Sequence, residues 1–304
     1  MNQIKYSIII PHHNIPELLE RCLRSIPQRE DIQIIVVDDK SDEKFIPSLR
    51  VIEKKYDFVD FVYLEQSGGG GKARNAGLEK AVGDFLIFAD ADDYFNYCFN
   101  EALDDYKDVA ADIVFFASNS VDTDTYQNSV RSEELNNFIN NFDGSYEYNL
   151  RYHYGVPWGR IVKRSFVEKN NIRFQETVRH NDVGFSYLIG YYAKEIKVDR
   201  RAIYCVTTRK GSTSTNVTME ALRAGIFVYV TRYQFLTSKG VKMDYPDTFA
   251  RAMYRCRSDK FQFQELLDYT KTFGIDEPTI KKRYRYFRIK EFLREIKHKI
   301  VKRK

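Results

Sequence analysis

The stretch Gly83–Phe95, GDFLIFADADDYF, decides the fold of this chain. Its four consecutive large apolar residues, Phe85–Phe88, are typical of a strand that is buried on both faces. Three carboxylates, those of Asp90, Asp92 and Asp93, follow at the end of that strand. Carboxylates this close repel one another, so the cluster needs a cation, hydrogen-bond donors or full solvation. The pattern favours a divalent metal, Mg or Mn rather than Zn, at the carboxyl edge of a sheet over a solvated acidic turn.

Before this stretch, apolar strands alternate with amphipathic helices. Strands are expected at Tyr6–Ile10, Ile32–Val37 and Phe58–Leu64, and helices at Ile15–Ile26, Phe45–Tyr56 and Ala73–Val82. This β-α-β-α-β-α-β order predicts an α/β, Rossmann-like fold with a mostly parallel sheet flanked by helices. Asp38 and Asp39 end the second strand, so they should emerge at the same edge of the sheet as Asp90 and Asp92.

A glycine-rich loop, Gly68–Gly71, leads into the helix expected from Ala73. It is not a P-loop, because Ala73 stands where that motif requires Ser or Thr, and Gln66 stands where it requires its first Gly. The spacing of Gly68, Gly70 and Ala73 matches the dinucleotide-binding fingerprint better. That fingerprint normally opens its domain, whereas two β-α units precede this loop. The metal site is therefore favoured over a dinucleotide site, and a plain flexible turn stays open as an interpretation.

The composition predicts a globular protein of a reducing compartment. The chain has 304 residues, of which 43% are hydrophobic and 15% aromatic, enough for a large core. Its four cysteines are far apart and form no CxxC pair, which argues against a zinc site and a disulfide scaffold. We see neither a signal peptide nor an apolar run of about 18 residues. A cytoplasmic protein, soluble or peripherally bound to a membrane, is expected.

The C-terminal part of the chain is expected to be helical. We place a domain boundary between residues 215 and 216, with an α/β domain over 1–215 and a helical extension over 216–304. Thr279–Lys304 holds twelve Lys or Arg against two Glu. Apolar residues recur there at helical spacing: Phe287, Ile289, Phe292, Leu293, Ile296 and Ile300. A basic amphipathic helix of this kind can lie on an anionic membrane surface, and it can also pack its apolar face back on the domain. Nucleic acid is disfavoured as a partner because the rest of the chain is acidic and no nucleic-acid module is visible.

Six separated motifs together resemble the family 2 glycosyltransferases, the inverting sugar-nucleotide enzymes of GT-A fold. In chain order they are SIIIPHHN (7–14), IIVVDDKSD (34–42), GGGGKARNAG (68–77), FADADD (88–93), PWGRIVKRSFV (157–167) and HNDVGFS (180–186). Each motif alone is weak, but six in the right order and spacing are specific. The resemblance implies a GT-A catalytic domain with Mn²⁺ or Mg²⁺ as cofactor. It also implies a nucleotide-sugar donor and a glycan or lipid-linked glycan acceptor as partners. A lipid-linked acceptor favours peripheral contact of the C-terminal tail with a membrane, such as the cytoplasmic face of an inner membrane, over packing back on the domain.

The resemblance also implies a role for each matching residue. Asp182 would be the catalytic base, Asp92 would bind the metal directly, and Asp90 would meet the ribose or the metal. Arg74 would approach the diphosphate, and Asp39 would accept from the ring N–H of the base, which favours uridine. The remaining nucleotide contacts would come from Pro11, His13, Asn14 and Ala91, and the acceptor contacts from Trp158, His180 and Arg209.

The chain departs from the family pattern at two of these positions. His13 stands where an aromatic Tyr is usual, which leaves a ring able to stack on a base but weakens that assignment. Asn181 precedes Asp182, where many relatives carry Glu. Trp158, with the tyrosines between 146 and 154, either forms an apolar platform for a sugar ring or packs in the core, and the sequence leaves both open.

The chemistry of sugar transfer fits these assignments. Negative charge builds on the departing diphosphate, where a divalent ion and Arg74 neutralise it. The acceptor hydroxyl is a poor nucleophile and needs a carboxylate such as Asp182 to take its proton. We therefore predict a metal-dependent inverting hexosyltransferase that uses a UDP-hexose or UDP-N-acetylhexosamine in bacterial surface polysaccharide synthesis.

Two other functions are weighed against this one. A sugar-nucleotide-forming nucleotidyltransferase needs a glycine-rich loop after its first strand, where this chain has Pro11–Asn14. A non-catalytic nucleotide-sugar-binding protein has no need to keep Asp90, Asp92 and Asp182 together.

Overall fold

The computed structural model describes residues 3–143, 146–209 and 218–301, and the side chains of 295 and 297–301 lie outside that description. By its internal contacts the chain divides into two units, residues 1–212 and 213–304. The boundary predicted at 215/216 falls among residues 210–217, outside the described part. In the described ranges, no helix combines the length and the apolar character needed to cross a bilayer.

The first unit is built on a sheet whose eight described strands have the order β3-β2-β1-β4-β7-β6-β8-β5. They are β1 (Tyr6–His12), β2 (Ile32–Asp38), β3 (Val59–Tyr63), β4 (Phe85–Phe88), β5 (Tyr94–Phe95), β6 (Ile113–Asp122), β7 (Arg160–Lys163) and β8 (Ile196–Thr208). The pairs β1–β2, β2–β3, β1–β4 and β6–β8 are parallel. Only β7 and β5 run against their neighbours. The predicted α/β fold with a mostly parallel sheet is thus confirmed.

Helices cover both faces of this sheet, because its strands alternate side chains between two cores. The helices are α1 (Pro16–Arg24), α2 (Ile46–Lys55), α3 (Gly69–Lys80), α4 (Phe99–Tyr106), α5 (Glu133–Asn140), α6 (Glu147–Tyr152), α7 (Arg164–Lys169) and α8 (Asn181–Tyr192). Ile8 and Ile10 of β1 pack in one core with Leu19 of α1. Ile9 packs in the other core with Phe185 of α8. Consecutive residues of one strand therefore hold both helical layers.

Three elements reach further than the local sequence patterns that mark them, which cover Ala73–Val82, Asp112–Ala117 and Ala202–Thr207. Helix α3 begins at Gly69 rather than Ala73, so the glycines form its first turn. Strand β6 continues through the polar residues up to Asp122, and β8 begins at Ile196. Strands β6 and β8 pair in parallel over most of their length. Because backbone hydrogen bonds between strands do not depend on side-chain polarity, both strands continue beyond their apolar residues.

The second unit is helical, as predicted. Its described helices are α9 (Met219–Ser238), α10 (Thr248–Arg255), α11 (Lys260–Lys271) and α12 (Glu277–Val301). They share a core that includes Ile226, Phe249, Leu266, Ile280 and Phe287. Helix α12 thus contributes one apolar face, through Ile280 and Phe287, to the interior of its own unit.

Candidate active site

Hydrogen bonds join the ends of β1 and β2 around the first predicted nucleotide-binding residues. His13 Nδ1 lies 3.1 Å from the backbone oxygen of Asp39. Asn14 donates from Nδ2 to Asp42 and accepts at Oδ1 from the Asp42 backbone N–H. Pro11 is half-buried in β1, whereas His13 is exposed. The His13 ring therefore keeps the accessible face that stacking on a base requires.

His12, beside this group, is structural. Its Nε2 accepts from the backbone N–H of Ile15 at 3.2 Å, so the proton lies on Nδ1, which donates to Asp38 Oδ1 at 2.8 Å. Asp38 also accepts from the backbone N–H and the hydroxyl of Ser41. Of the Asp38-Asp39 pair, the first carboxylate is thus committed to the fold.

Asp39 caps the glycine-rich turn. Its carboxylate accepts from the Ser67 hydroxyl and from the backbone N–H groups of Gly68 and Gly69, each at 2.8 Å. These contacts satisfy the N-terminal donors of α3 from a residue that lies far upstream. A Cβ at Gly71 would lie 2.1 Å from the backbone oxygen of Gln175, so only glycine fits there. The loop is therefore built for close backbone approach rather than for flexibility.

Arg74, in α3, links the aspartate cluster to the predicted base segment. Its guanidinium pairs with Asp90 Oδ1 at 2.5 Å and donates to Asn181 Oδ1 at 2.9 Å. The side chain is nearly buried and lies 5.4 Å from the Phe174 ring. Arg74 thereby brings together the end of β4 and the start of α8, which are far apart in sequence.

The three clustered aspartates have different surroundings. Asp93 is buried and accepts from the Tyr204 hydroxyl at 2.9 Å and from the Thr207 backbone N–H at 2.7 Å. Tyr204 also accepts from the Asp90 backbone N–H at 2.8 Å. Burial, with the nearby charges of Asp90 and Asp92, raises the pKa of Asp93 well above its usual range. Asp93 therefore anchors the turn to β8, and it is not available as a ligand.

Tyr204 and Thr207 were not singled out in the sequence. They lie on an apolar strand whose local pattern gives no sign that it closes on the aspartate turn. The Thr207 hydroxyl also donates to the backbone oxygen of Asp92 at 2.6 Å. Together the two residues fix the position of the whole turn.

Asp90 and Asp92 suit a hard divalent cation. Their side chains are 26% and 24% exposed, and each offers carboxylate oxygens. Among the described residues there is no group of three or more His, Cys, Asp or Glu side chains placed to hold a metal. A cation at this turn would accordingly take its remaining ligands from substrate oxygens and water, as Mg²⁺ commonly does.

Arg209 lies at the aspartate turn, although the sequence assigned it to the acceptor. Its Nε is 3.1 Å from Asp92 Oδ2, and its side chain is 32% exposed. Arg74 thus forms an ion pair with Asp90, and Arg209 forms one with Asp92. This position places Arg209 beside Asp92, one of the two predicted metal ligands.

Asp182, the predicted base, lies in the first turn of α8. Burial raises the pKa of its carboxyl; Arg74 opposes the shift, Asp90 adds to it, and Arg160 opposes it more weakly. A carboxylate with a raised pKa is a stronger base, which suits proton abstraction from a hydroxyl. His180, which directly precedes α8, has a left-handed backbone with φ of 62°, and burial and Arg179 lower the His180 pKa to about 4.

Arg160 is a residue of this region that the sequence did not indicate. It is 1% exposed, donates to the Ser186 hydroxyl at 2.6 Å and to the backbone oxygens of Val156 and Pro157. Ser186 lies one helical turn after Asp182 in α8. Arg160 therefore holds the 156–160 turn against the helix that carries the predicted base.

Two predicted binding residues are core residues instead. Trp158 is 2% exposed and stacks on Tyr204 with ring centroids 5.7 Å apart, so of the two roles that the sequence left open for this side chain the structure favours packing in the core. Gly159, with φ of 69°, turns the chain tightly beneath it. Ala91 is 3% exposed and its methyl group packs in the same core, so its side chain cannot contact a nucleotide.

Comparison with known proteins gives a consistent family. The model described as glycosyl transferase family 2 matches residues 7–170. The cholesterol galactosyltransferase of Borreliella burgdorferi is 24% identical over 91% of this chain and 90% of its own length. The Staphylococcus aureus poly(ribitol-phosphate) beta-N-acetylglucosaminyltransferase TarS is 28% identical, but only 36% of its length is covered.

Solved structures show the same fold. Residues 1–349 of S. aureus TarS in complex with UDP-GlcNAc align with a TM-score of 0.62 at 20% identity, over 93% of this chain and 91% of that one. The mannosyltransferase PcManGT of Pyrobaculum calidifontis, in complex with GDP-Man and Mn²⁺, aligns with a TM-score of 0.57 at 15% identity over 90% of this chain and 74% of that one. The GT-A fold expected from the sequence is thereby confirmed.

Proposed function

Because the chain belongs to glycosyl transferase family 2, we propose that it moves a sugar from a UDP-hexose or UDP-N-acetylhexosamine to a hydroxyl of a glycan or lipid-linked glycan. The observation that carries this proposal is the Arg74 bridge. It brings Asp90, at the donor end of the sheet, and Asn181, next to the base candidate Asp182, to one guanidinium. A donor phosphate and an acceptor hydroxyl would then meet between groups suited to each.

The donor half of the site is assigned to the edge formed by β1, β2 and α3. His13 offers a ring to the base, while Asp39 keeps acceptor capacity beside the base and ribose, because a carboxylate has about four lone-pair sites. Asn14 holds the two loops that carry these side chains. Arg74 and Arg209 supply positive charge where the diphosphate leaves.

The metal is assigned to Asp90 and Asp92, with Mn²⁺ or Mg²⁺ as the ion. When bound, such an ion supplies charge that offsets the leaving diphosphate. This assignment is supported by the oxygen donors at the turn and by the commitment of Asp93 to Tyr204 and Thr207.

Asp182 is assigned as the base for a single displacement with inversion. It takes the proton of the acceptor hydroxyl as that oxygen attacks the anomeric carbon, and the bond to the diphosphate breaks. Arg160 holds its helix in place, and His180 stands at the start of that helix. Neutral His180 would offer the acceptor a hydrogen-bonding ring without adding charge.

The acceptor is assigned to the glycans or lipid-linked glycans of bacterial surface polysaccharide synthesis. The names of the two relatives, one acting on cholesterol and one on poly(ribitol-phosphate), cover a lipid and a polymer. We further propose that the enzyme acts at the cytoplasmic face of a membrane, where contact through its C-terminal helix would bring it to a lipid-linked acceptor.

Thermal unfolding with a panel of nucleotides, with and without Mn²⁺, tests the donor and metal assignments. Ligand at a hundredfold excess over its Kd stabilises by about 2.7 kcal/mol, which raises Tm by roughly 5–11 °C for a unit of this size. We expect this shift with UDP or one UDP-sugar, and we expect its metal-dependent part to vanish in Asp92→Ala. Asp57→Ala, in the exposed turn between α2 and β3, is the matched control. A shift with NAD(P) and none with UDP would refute the proposal and identify the glycine turn as a dinucleotide site.

A further inference from the structure

Helix α12 has two apolar faces, and the fold of its unit uses only one. Ile280 and Phe287 are buried in the core of the helical unit, at 0% and 4% exposure. On the opposite side, five large apolar side chains are exposed: Tyr286 (60%), Ile289 (60%), Phe292 (61%), Leu293 (58%) and Ile296 (39%). Their spacing places them on one stripe of the helix. We call this stripe the outer face of α12; Ile300, which the sequence pattern also includes, has a side chain outside the described residues.

Arginines line a cleft at this outer face. A cavity of about 450 Å³ is lined by Tyr254, Arg257, Arg285, Arg288, Ile289 and Phe292. The Arg257 guanidinium lies over the Tyr254 ring, 4.1 Å from its centroid, in a cation–π contact. In the described part of the chain, none of the ion pairs involves Arg257, Arg285 or Arg288. Three cations without counter-ions therefore border one cleft.

A second basic cleft lies on the same helix. It has a volume of about 330 Å³ and is lined by Thr279, Lys282, Arg283 and Tyr286. The outer face thus combines a continuous apolar stripe with cationic clefts. This is the pattern of a helix that lies in the plane of a membrane interface.

We infer that α12 binds an anionic phospholipid surface, with its apolar stripe at the boundary between headgroups and acyl chains and a lipid phosphate in the Arg257–Arg285–Arg288 cleft. Guanidinium groups bind phosphate oxygens in a bidentate manner, which suits a cleft with three of them. A second copy of this chain fits poorly, because its arginines would face these across the contact. Nucleic acid also fits poorly, because it would leave Ile289, Phe292 and Leu293 without an apolar partner. The inference rests on the proposed membrane contact and adds its surface and its ligand.

Vesicle sedimentation of the full chain, without any sugar nucleotide, tests this inference. We expect binding to vesicles of phosphatidylcholine with phosphatidylglycerol, little binding to phosphatidylcholine alone, and weakening by salt. Each unit of charge near the surface is worth about fivefold in affinity, so Arg285→Glu should weaken binding about twenty-five-fold. Arg294→Glu is the matched control, because Arg294 lies on the same helix, is 80% exposed and pairs with Glu291 away from the stripe.

A second pair of variants tests the apolar stripe. Leu293→Ser should weaken binding about tenfold through the lost apolar area. Val51→Ser, at a residue 66% exposed in the first unit, should not. The inference is overturned if anionic vesicles do not bind the wild type, or if Arg285→Glu and Arg294→Glu lose affinity equally. It is also overturned if sedimentation velocity shows a dimer that Leu293→Ser dissociates. The UDP-induced thermal shift should be the same in all four variants, so failure here leaves the transferase proposal to its own test.

Discussion

The hydroxyl of Tyr204 should be worth more to this enzyme than its position outside the assigned site implies. It donates to the buried Asp93 carboxyl at 2.9 Å and accepts from the Asp90 backbone N–H at 2.8 Å. Tyr204→Phe removes both hydrogen bonds and keeps the ring that stacks on Trp158. Burial disfavours the charged form of Asp93, so its hydrogen bond is worth the ordinary net amount of about 0.5–1.5 kcal/mol, and an unsatisfied buried N–H costs about 1–3 kcal/mol. The free energy of unfolding should therefore fall by about 3 kcal/mol.

Calorimetry or denaturant unfolding measures this loss directly. For a unit of this size, about 3 kcal/mol lowers Tm by roughly 6–12 °C. Tyr97→Phe, at a residue 94% exposed, is the control and should leave Tm unchanged. A Tyr204→Phe variant within about 2 °C of the wild type would refute the reasoning, because it would mean that water or a repacked side chain satisfies both groups. Metal-dependent UDP binding should weaken in the same variant, since Asp90 and Asp92 belong to the turn that Tyr204 holds.

Four further predictions concern the base and the glycine turn. Asp182→Asn should lower kcat by about 10²–10⁴-fold, with the UDP-induced thermal shift retained; a fully active variant would remove the base assignment. Because burial raises the pKa of Asp182 above the ordinary value of 3.8, kcat/KM should fall on the acid side with a midpoint above that value. Arg160→Met removes a charge that lowers this pKa, so it should move the acid limb to higher pH; a pH–rate profile that keeps the wild-type midpoint would contradict this. Gly71→Ala places a Cβ 2.1 Å from the Gln175 backbone oxygen, so it should lower Tm and weaken UDP binding. Gly240→Ala is the control, because its Cβ meets no atom within 4 Å although the backbone has φ of 80°. It should lower Tm without affecting UDP binding.

The sequence predicted those parts of the fold that local patterns encode. Buried parallel strands have continuous apolar runs, and Ile34–Val37 and Phe85–Phe88 carry that signal without interruption. The residues at the carboxyl ends of these strands, Asp39, Asp90 and Asp92, follow from the topology alone.

What the sequence could not show depends on contacts between distant segments. The first turn of α3 exists because Asp39 supplies acceptors to glycines that otherwise read as a loop. Tyr204 and Arg160 act through partners on other strands and helices, so no local spacing marks them. Trp158 has a side chain that serves a core or a sugar platform equally well, and only its packing on Tyr204 decides for the core.

The position of Trp158 also allows its intrinsic fluorescence to report on the aspartate turn. It is the chain's single tryptophan, and its indole stacks on the tyrosine whose hydroxyl contacts both Asp93 and the Asp90 backbone. Any ligand that shifts the aspartate turn must disturb this ring pair, whereas events on the helical unit need not. Intrinsic fluorescence excited at the red edge of the indole band should therefore follow occupancy of the donor site in real time, without a label and against no background from a second tryptophan.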